Sequence, residues 1–243
     1  MTGTLGIYKN TEELADRVAD QLMEWMEQSA GERFDMALSG GSSPNLLFAT
    51  LASKYSHSEL WNKTHIWWVD ERMVAPDDPE SNYGTSNFFL FSKINIPKQN
   101  IHRICGENNP VQEAENYSRQ IRQALGSYQG WPRFDLVFLG LGDDGHTASI
   151  FPNRLELFNS ANVCEVAYHP VTSQPRVTLT GEVINRASKI CFLVTGVNKS
   201  ERLSEIWLGK EIGKRLPAFY IKPVNGELFW FTDTKAAQYL SDL

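Results

Sequence analysis

Short apolar runs alternate with amphipathic stretches along most of the chain. An apolar run that is closed by glycine or by acidic residues is typical of a strand buried on both faces of a sheet. Such runs predict strands at residues 34–38, 65–69, 134–139 and 189–195. Apolar residues at every third or fourth position predict helices. Thr11 is the expected N-cap of the first helix. Helices are predicted at residues 11–29, 45–52, from 81 or 82 to 91, 110–125, 182–187 and 200–208.

The strand and helix signals weaken towards the end of the chain. Further strands are expected at residues 162–167, 176–180, 217–220 and 227–231, and a last helix at 234–240. Strands that alternate with helices favour an α/β fold, in which a mostly parallel sheet has helices on both faces. The late strands indicate a small β addition near the C-terminus. Because no repeat or linker interrupts the pattern, residues 1–243 are expected to form a single domain.

Composition narrows the function classes. The chain is 42% hydrophobic and 21% charged, and its net charge of −6 argues against nucleic-acid binding, which needs a basic surface. No segment has the pattern of a signal peptide or an apolar run long enough to span a bilayer, so we expect no membrane association. The three cysteines are widely separated and form neither a disulfide framework nor a zinc motif, which favours the reducing cytoplasm.

Four loops that follow predicted strands contain most of the candidate chemistry. They are residues 39–44, 70–74, 140–147 and 196–199. Parallel strands point the same way, so the loops at their C-terminal ends should converge at one edge of the sheet, where α/β proteins place their ligands. Together these loops hold glycines, acids, cations and a histidine, namely Gly40, Gly41, Asp70, Arg72, Asp144, His146 and Lys199.

The loop at residues 39–44, Ser-Gly-Gly-Ser-Ser-Pro, has the form of an anion-binding turn. Its glycines would allow close backbone approach, and the helix behind it would offer free N–H groups. The alternative is an ordinary turn without a ligand, since the lysine of a P-loop is missing. Lys199 begins a later helix, where a cation opposes the helix dipole unless an anion lies nearby. A solvated surface lysine is the alternative there.

His146 is the candidate for acid–base chemistry, because a histidine can take up a proton near neutral pH. Asp144 or Asp70 could orient its ring. The alternative is a loop histidine that caps backbone groups. Arg72 is open between binding an anion and pairing with neighbouring acids on the surface. The remaining histidines, including His169, have no comparable setting.

Residues 140–145 also match the glycine pattern of dinucleotide-binding proteins, G-x-G-x-x-G, and Glu165 lies 20 residues further on. Three features oppose this interpretation. Acidic residues stand where a pyrophosphate would approach, Pro152 interrupts the helix that the pattern requires, and the better anion loop lies earlier in the chain. We therefore expect no NAD.

Six motifs lie in order along nearly the whole chain. They are Ser-Gly-Gly-Ser-Ser-Pro at 39–44, Val-Asp-Glu-Arg at 69–72, Ser-Asn-Tyr-Gly at 81–84, Leu-Gly-Leu-Gly-Asp-Asp-Gly-His-Thr-Ala-Ser-Ile-Phe-Pro at 139–152, Arg-Val-Thr-Leu-Thr at 176–180 and Thr-Gly-Val-Asn-Lys at 195–199. Together they resemble the 6-phosphogluconolactonase family, and the Asp-Gly-His-Thr-Ala-Ser-x-Phe-Pro segment is the most specific of them.

The resemblance implies a Rossmann-like α/β domain and a cytoplasmic hydrolase of the oxidative pentose phosphate pathway. It would open 6-phospho-D-glucono-1,5-lactone to 6-phosphogluconate without a metal or organic cofactor. The only expected partner is this sugar-phosphate lactone. The protein is expected to be a monomer or a weak homodimer. The implied catalytic residues are His146, as the base that activates water, and Asp144. The implied phosphate- and substrate-binding residues are Gly40, Gly41, Ser42, Asp70, Arg72, Thr147, Arg176 and Lys199.

Glucosamine-6-phosphate deaminases resemble the chain in fold and in several motifs, and they are the main alternative. They typically have a glutamate five residues after the histidine, as part of their ring-opening apparatus, and usually a tyrosine at the position of Arg72. This chain has Phe151 and Arg72 at these positions, and both favour the lactonase. A sugar-phosphate sensor without catalysis is a third alternative, which the retained His146 and Asp144 oppose.

Overall fold

The computed structural model describes residues 3–240, with the exception of the side chain of Ser42. The helices in this range are α1 (Thr11–Gln28), α2 (Ser42–Tyr55), α3 (Asn82–Phe89), α4 (Pro110–Ala124), α5 (Gly181–Ile184) and α6 (Ser200–Trp207). The strands are β1 (Thr4–Tyr8), β2 (Phe34–Leu38), β3 (Thr64–Trp68), β4 (Asp70–Arg72), β5 (Ser127–Tyr128), β6 (Trp131–Pro132), β7 (Leu136–Gly140), β8 (Cys164–Tyr168), β9 (Pro175–Leu179), β10 (Lys189–Val194) and β11 (Glu227–Asp233). None of the helices in this range has the length and apolar character that crossing a bilayer requires.

Six strands form one sheet in the order β1-β11-β10-β7-β2-β3, and every pair in it is parallel. The inner strand β2 is buried at every position, and β7 and β10 are nearly so. Strands covered on both faces need continuous apolar sequence, which is the pattern that predicted them. The predicted α/β fold with a mostly parallel sheet is confirmed.

A second, antiparallel sheet has three strands in the order β4-β9-β8. Val69 connects the two sheets, because its N–H donates to the Leu38 carbonyl at 2.9 Å while its own carbonyl accepts from Leu179 at 2.7 Å. The chain therefore leaves β3 and enters β4 without a helix between them. The small β addition expected near the C-terminus is instead built from these earlier segments, while the late strand β11 joins the parallel sheet.

Two features at the beginning of the chain differ from the prediction. Strand β1 was not predicted, because an edge strand that is only half-buried needs no continuous apolar run. Helix α1 begins where expected, but its N-cap is Asn10 rather than Thr11. Asn10 Oδ1 accepts the Glu13 N–H at 2.9 Å, which satisfies one of the free donors of the first turn.

Two predictions near the end of the chain are wrong. Residues 217–220 form a short 3₁₀ helix rather than a strand, and it begins at Pro217, which has no N–H for a sheet ladder. Residues 234–239 form successive turns rather than a helix. The Asp233 carboxylate accepts the Ala236 N–H at 2.7 Å and so closes a turn directly after β11.

Candidate active site

One cleft lies at the C-terminal edge of the parallel sheet, where the four predicted loops meet. It has a volume of about 250 Å³. Its walls come from these loops, from α3 and from β9, and they include Ser39, Gly40, Gly41, Ser43, Asp70, Arg72, Asn82, Gly142, Asp143, His146, Arg176 and Lys199. The structure therefore brings most of the predicted site residues together. Asp144 and Thr147 lie beside the cleft in the same loop as His146.

The turn between β2 and α2 places a glycine at the N-cap of the helix, where no side chain can cap the first N–H groups. This glycine, Gly41, has a φ of 103°, a left-handed value that favours glycine. The Ser43 hydroxyl is engaged with that of Thr195 at 2.8 Å. The predicted residue Ser42 begins α2, but its side chain lies outside the described part of the structure. The helix offers its N–H groups and its dipole to an anion in the cleft.

Gly40 packs against Asn82, the first residue of α3. A Cβ atom at Gly40 would lie 1.8 Å from Asn82 Oδ1, so a larger residue does not fit without a rearrangement. The Asn82 side chain is buried, and its Nδ2 donates to the Asp70 carbonyl at 2.9 Å. Asn82 thus joins the anion-binding turn to the start of β4. The Ser-Asn-Tyr-Gly motif at 81–84 does not by itself indicate this role for Asn82.

Arg72 and Arg176 lie directly opposite each other on β4 and β9. Both Nε atoms are buried, and neither has a hydrogen-bond partner among the described residues. Burial, together with the charge of Arg72, lowers the pKa of Arg176, although Asp70 acts in the opposite direction. Like charges at opposing positions of a sheet repel, and buried donors without partners are unfavourable. An anion bound between the two guanidinium groups would relieve both problems.

Asp70 is buried at the start of β4 and is held by Ser149, whose hydroxyl donates to Asp70 Oδ2 at 2.6 Å. Arg176 Nη1 lies 3.9 Å from the same carboxylate oxygen and 3.5 Å from Ser149 Oγ. Asp70 therefore balances part of the Arg176 charge. Ser149 was not singled out by the sequence analysis, because its role depends on a contact with a distant strand.

His146 is oriented by Asp144. The His146 Nδ1 atom lies 2.6 Å from Asp144 Oδ1, and the same oxygen accepts the His146 backbone N–H at 3.1 Å. Burial alone would raise the pKa of Asp144, but the hydrogen bonds and charge of His146 lower it to about 2. The ionised carboxylate can only accept, so Nδ1 holds a proton and neutral His146 has its lone pair on Nε2. Of the two acids left open by the sequence, Asp144 is the one that contacts the ring.

The loop after β7 fits closely around His146. A Cβ atom at Gly142 would lie 2.1 Å from His146 Nδ1, and the Gly142 N–H donates to the His146 carbonyl at 2.8 Å. Thr147 is buried, and its hydroxyl donates to the Gly140 carbonyl at 3.0 Å. The structure therefore directs the predicted binding residue Thr147 to the backbone of its own loop. Its hydroxyl helps to fix the loop that presents His146.

Phe151 is fully buried and packs against His146, with the ring centroids 4.9 Å apart. The guanidinium carbon of Arg176 lies 5.7 Å from the centre of the same phenyl ring. The position at which the deaminase pattern has a carboxylate is thus an apolar surface that contacts both His146 and Arg176. Phe151 packs against one side of the imidazole. Unlike a glutamate at this position, it offers the ring no carboxylate.

Lys199 lies just before α6 and forms an ion pair with Asp143 of the loop after β7. Its Nζ donates to Asp143 Oδ1, and Asn198 Nδ2 donates to the same oxygen at 3.0 Å. The Lys199 side chain is 20% exposed and that of Asp143 is 72% exposed. The sequence predicted that an anion near Lys199 would offset its unfavourable position at a helix start. The protein itself supplies one in Asp143.

Comparisons with known proteins establish the family of the chain. A family model described as glucosamine-6-phosphate isomerases/6-phosphogluconolactonase matches residues 9–230. The chain belongs to this family. A 6-phosphogluconolactonase from Haemophilus influenzae is 38% identical to this member over 96% of the chain and 98% of its own length.

Two further comparisons extend the likeness. A 6-phosphogluconolactonase from Aggregatibacter actinomycetemcomitans is 42% identical over 84% of this family member and 87% of its own length. The crystal structure of the devB protein matches with a TM-score of 0.93 at 40% identity, covering 98% of this chain and 100% of that one. The family match, at residues 9–230, contains all the residues that line the cleft.

A second histidine lies near the site of this glucosamine-6-phosphate isomerase/6-phosphogluconolactonase family member. The ring of His169 meets that of Phe151 edge-on with centroids 5.4 Å apart, and its Nδ1 accepts the N–H groups of Val171 and Thr172. Burial and the nearby charge of Arg176 lower its pKa. The sequence carries no signal for this position, because only the pairing of β8 with β9 brings His169 to this edge of the molecule.

Proposed function

We propose that this family member opens 6-phospho-D-glucono-1,5-lactone to 6-phosphogluconate, with His146 as the general base. One observation carries the proposal: the Asp144–His146 pair lies in the same cleft as Arg72 and Arg176, whose buried Nε atoms have no partner among the described residues. The 6-phosphogluconolactonase names of relatives at 38% and 42% identity support the choice of substrate.

The phosphate would bind in the cationic half of the cleft. The backbone of Gly40 and Gly41 and the N-terminus of α2 would meet it from one side, and Arg72, Arg176 and Lys199 from the other. Charge-assisted hydrogen bonds from several donors hold a dianion firmly and in one orientation. With the phosphate end of the sugar fixed, the lactone carbonyl is presented to His146. This positioning lowers the entropic part of the activation barrier of the reaction.

The chemistry that this arrangement supports is water activation. His146 Nε2 accepts a proton from a water molecule, whose oxygen forms a bond to C1 of the lactone. When the tetrahedral intermediate breaks the bond between C1 and the ring oxygen, the imidazolium returns its proton to that oxygen. The new carboxylic acid then loses a proton to solvent. Asp144 stabilises the imidazolium and keeps the ring in the orientation that exposes Nε2.

We further infer that the enzyme acts in the cytoplasm, on a free sugar phosphate, as a monomer or weak homodimer. The three cysteines are free thiols, as a reducing compartment favours. The net charge of −6 opposes nucleic-acid binding and leaves the cations of the cleft as a local attraction for the substrate. The mechanism requires no metal and no organic cofactor, because a lactone is already an activated ester.

Two assays on the same purified protein test the proposed function. We expect the protein to open 6-phosphogluconolactone well above the spontaneous rate and to release no ammonia from glucosamine 6-phosphate. Ammonia release without lactone opening would identify a deaminase instead. Saturable binding of 6-phosphogluconate without turnover of either substrate would identify a sensor. Either result would contradict the proposal.

A further inference from the structure

The cations of the cleft differ in their partners within the protein. Arg72 Nη1 donates to the Glu80 carbonyl at 2.5 Å, and Arg176 has the buried Ser149–Asp70 pair beside it. These partners belong to the backbone or are buried. The partner of Lys199 is of another kind, because Asp143 is a mostly exposed carboxylate at the wall of the cleft.

Asp143 forms an ion pair with Lys199, as a bound anion would. Its Oδ1 accepts both the Lys199 ammonium and the Asn198 amide, so that one carboxylate oxygen takes two donors from the loop after β10. An ion pair with one highly exposed partner contributes little stability, so it can be exchanged for another anion. The carboxylate of Asp143 is also well hydrated when it is released, so the exchange costs little free energy.

We propose that Asp143 is an internal competitor for Lys199, which the phosphate of the substrate displaces on binding. This inference deepens the proposed function, on which it rests, by naming a residue that sets the affinity for the phosphate group. Asp143 neutralises Lys199 and keeps it in place until a phosphate binds. When a phosphate binds, Lys199 and Asn198 turn from Asp143 to the ligand. The affinity for phosphorylated ligands is therefore lower than the cations alone would give, and release of the product is faster.

The substitution Asp143→Asn tests the proposal, since asparagine keeps an acceptor oxygen for Lys199 and Asn198 but removes the charge. We expect inorganic phosphate and 6-phosphogluconate to bind about two- to five-fold more tightly to D143N than to wild type in calorimetric titrations. A residue that merely held Lys199 in position would give the opposite result, because its loss would weaken binding. Unchanged or weaker binding by D143N would overturn the proposal.

Asp16→Asn is the matched control. Asp16 is also an exposed aspartate that accepts a lysine ammonium, that of Lys54 at 2.6 Å. Lys54 lies in the last turn of α2, about 18 Å along the helix from the end that faces the cleft. D16N removes the same charge from the protein, and we expect it to bind both ligands as wild type does. Equal tightening in D16N would show a general charge effect and overturn the proposal.

The background Lys199→Met shows whether Asp143 acts through Lys199. In K199M there is no ammonium to compete for, so adding D143N should change the affinity for inorganic phosphate by less than half as much as it does in wild type. A gain that persists in full would contradict the proposal. Because these are binding measurements, they are independent of turnover. A protein without lactonase activity could still show the exchange, and an active lactonase could fail to show it.

Discussion

At the scale of single residues, the site depends on small contacts that hold His146 in one orientation. Asp144 accepts a hydrogen bond from the Nδ1–H group, Phe151 packs against one side of the ring, and Gly142 leaves room for the imidazole. A base works only when its free nitrogen points to the substrate, and a displacement of about 1 Å can lower the rate about 100-fold. Gly142 and Asp144 therefore both contribute to the orientation of His146.

The substitution Gly142→Ala tests this point. Its Cβ atom would lie 2.1 Å from His146 Nδ1, so the ring must move away from Asp144. We expect kcat for lactone hydrolysis to fall about 100-fold with a much smaller change in KM, since the phosphate-binding groups lie elsewhere in the cleft. Gly126→Ala is the control, because a Cβ atom there meets nothing within 4 Å. A G142A enzyme with the kcat of wild type would contradict the assigned role of the loop.

The residues that could be predicted from the sequence are those that follow a buried strand directly. His146 and Lys199 lie at such positions, and the convergence of parallel strands is enough to place them in one cleft. Asn82 and Ser149 could not be assigned in this way. They act through hydrogen bonds to Asp70, a partner that only the folded chain brings near.

At the scale of secondary-structure elements, the second sheet completes the site. The register of β4 with β9 sets Arg72 opposite Arg176 and so creates the cationic half of the cleft. From the sequence, the Arg176 segment is recognisable as β-like and the Arg72 segment as a loop after a strand. Their pairing is not recognisable, because an antiparallel partner so distant in the chain leaves no periodic signal in either segment.

His65 on the outer strand β3 of the parallel sheet pairs with His102 of a neighbouring segment, and this histidine pair should make stability depend on pH. His65 Nδ1 lies 2.9 Å from His102 Nε2, and the His102 ring stacks on Trp67 at 4.0 Å between centroids. Burial, with the charge of His65, lowers the pKa of His102 to about 4. Burial also lowers the pKa of His65. The unfolded chain, with a pKa of about 6.5 for histidine, therefore binds more protons than the folded chain in this window.

Because protons bind preferentially to the unfolded state, stability should fall as the pH is lowered from about 6.5 to about 4, and this contribution should be constant above that range. The free energy of unfolding, measured in urea, should be higher at pH 7 than at pH 4.5. We expect His102→Gln to reduce this difference by about 1–2 kcal/mol, a value that already allows for solvent screening of the half-buried ring. His57→Gln, at an exposed histidine, is the control. An H102Q protein with the pH dependence of wild type would contradict this account.

At the scale of the whole molecule, the two ends of the described chain are joined. Strand β1 pairs in parallel with β11, and the Thr234 N–H donates to the Tyr8 carbonyl at 2.9 Å. The second sheet is joined to the first through Val69. We propose on this basis that the described residues, 3–240, form one domain, in which the cleft draws its walls from segments spread from Ser39 to Lys199.

The proposed mechanism depends above all on one role, in which His146 activates water for attack on a lactone. The substitution His146→Gln keeps a polar side chain of similar size but removes the base. We predict that kcat for 6-phosphogluconolactone, measured with the spontaneous rate subtracted, falls by about 10²–10⁴-fold while binding of 6-phosphogluconate stays close to that of wild type. If H146Q opened the lactone with the kcat of wild type, His146 would not be the base and the account would be wrong.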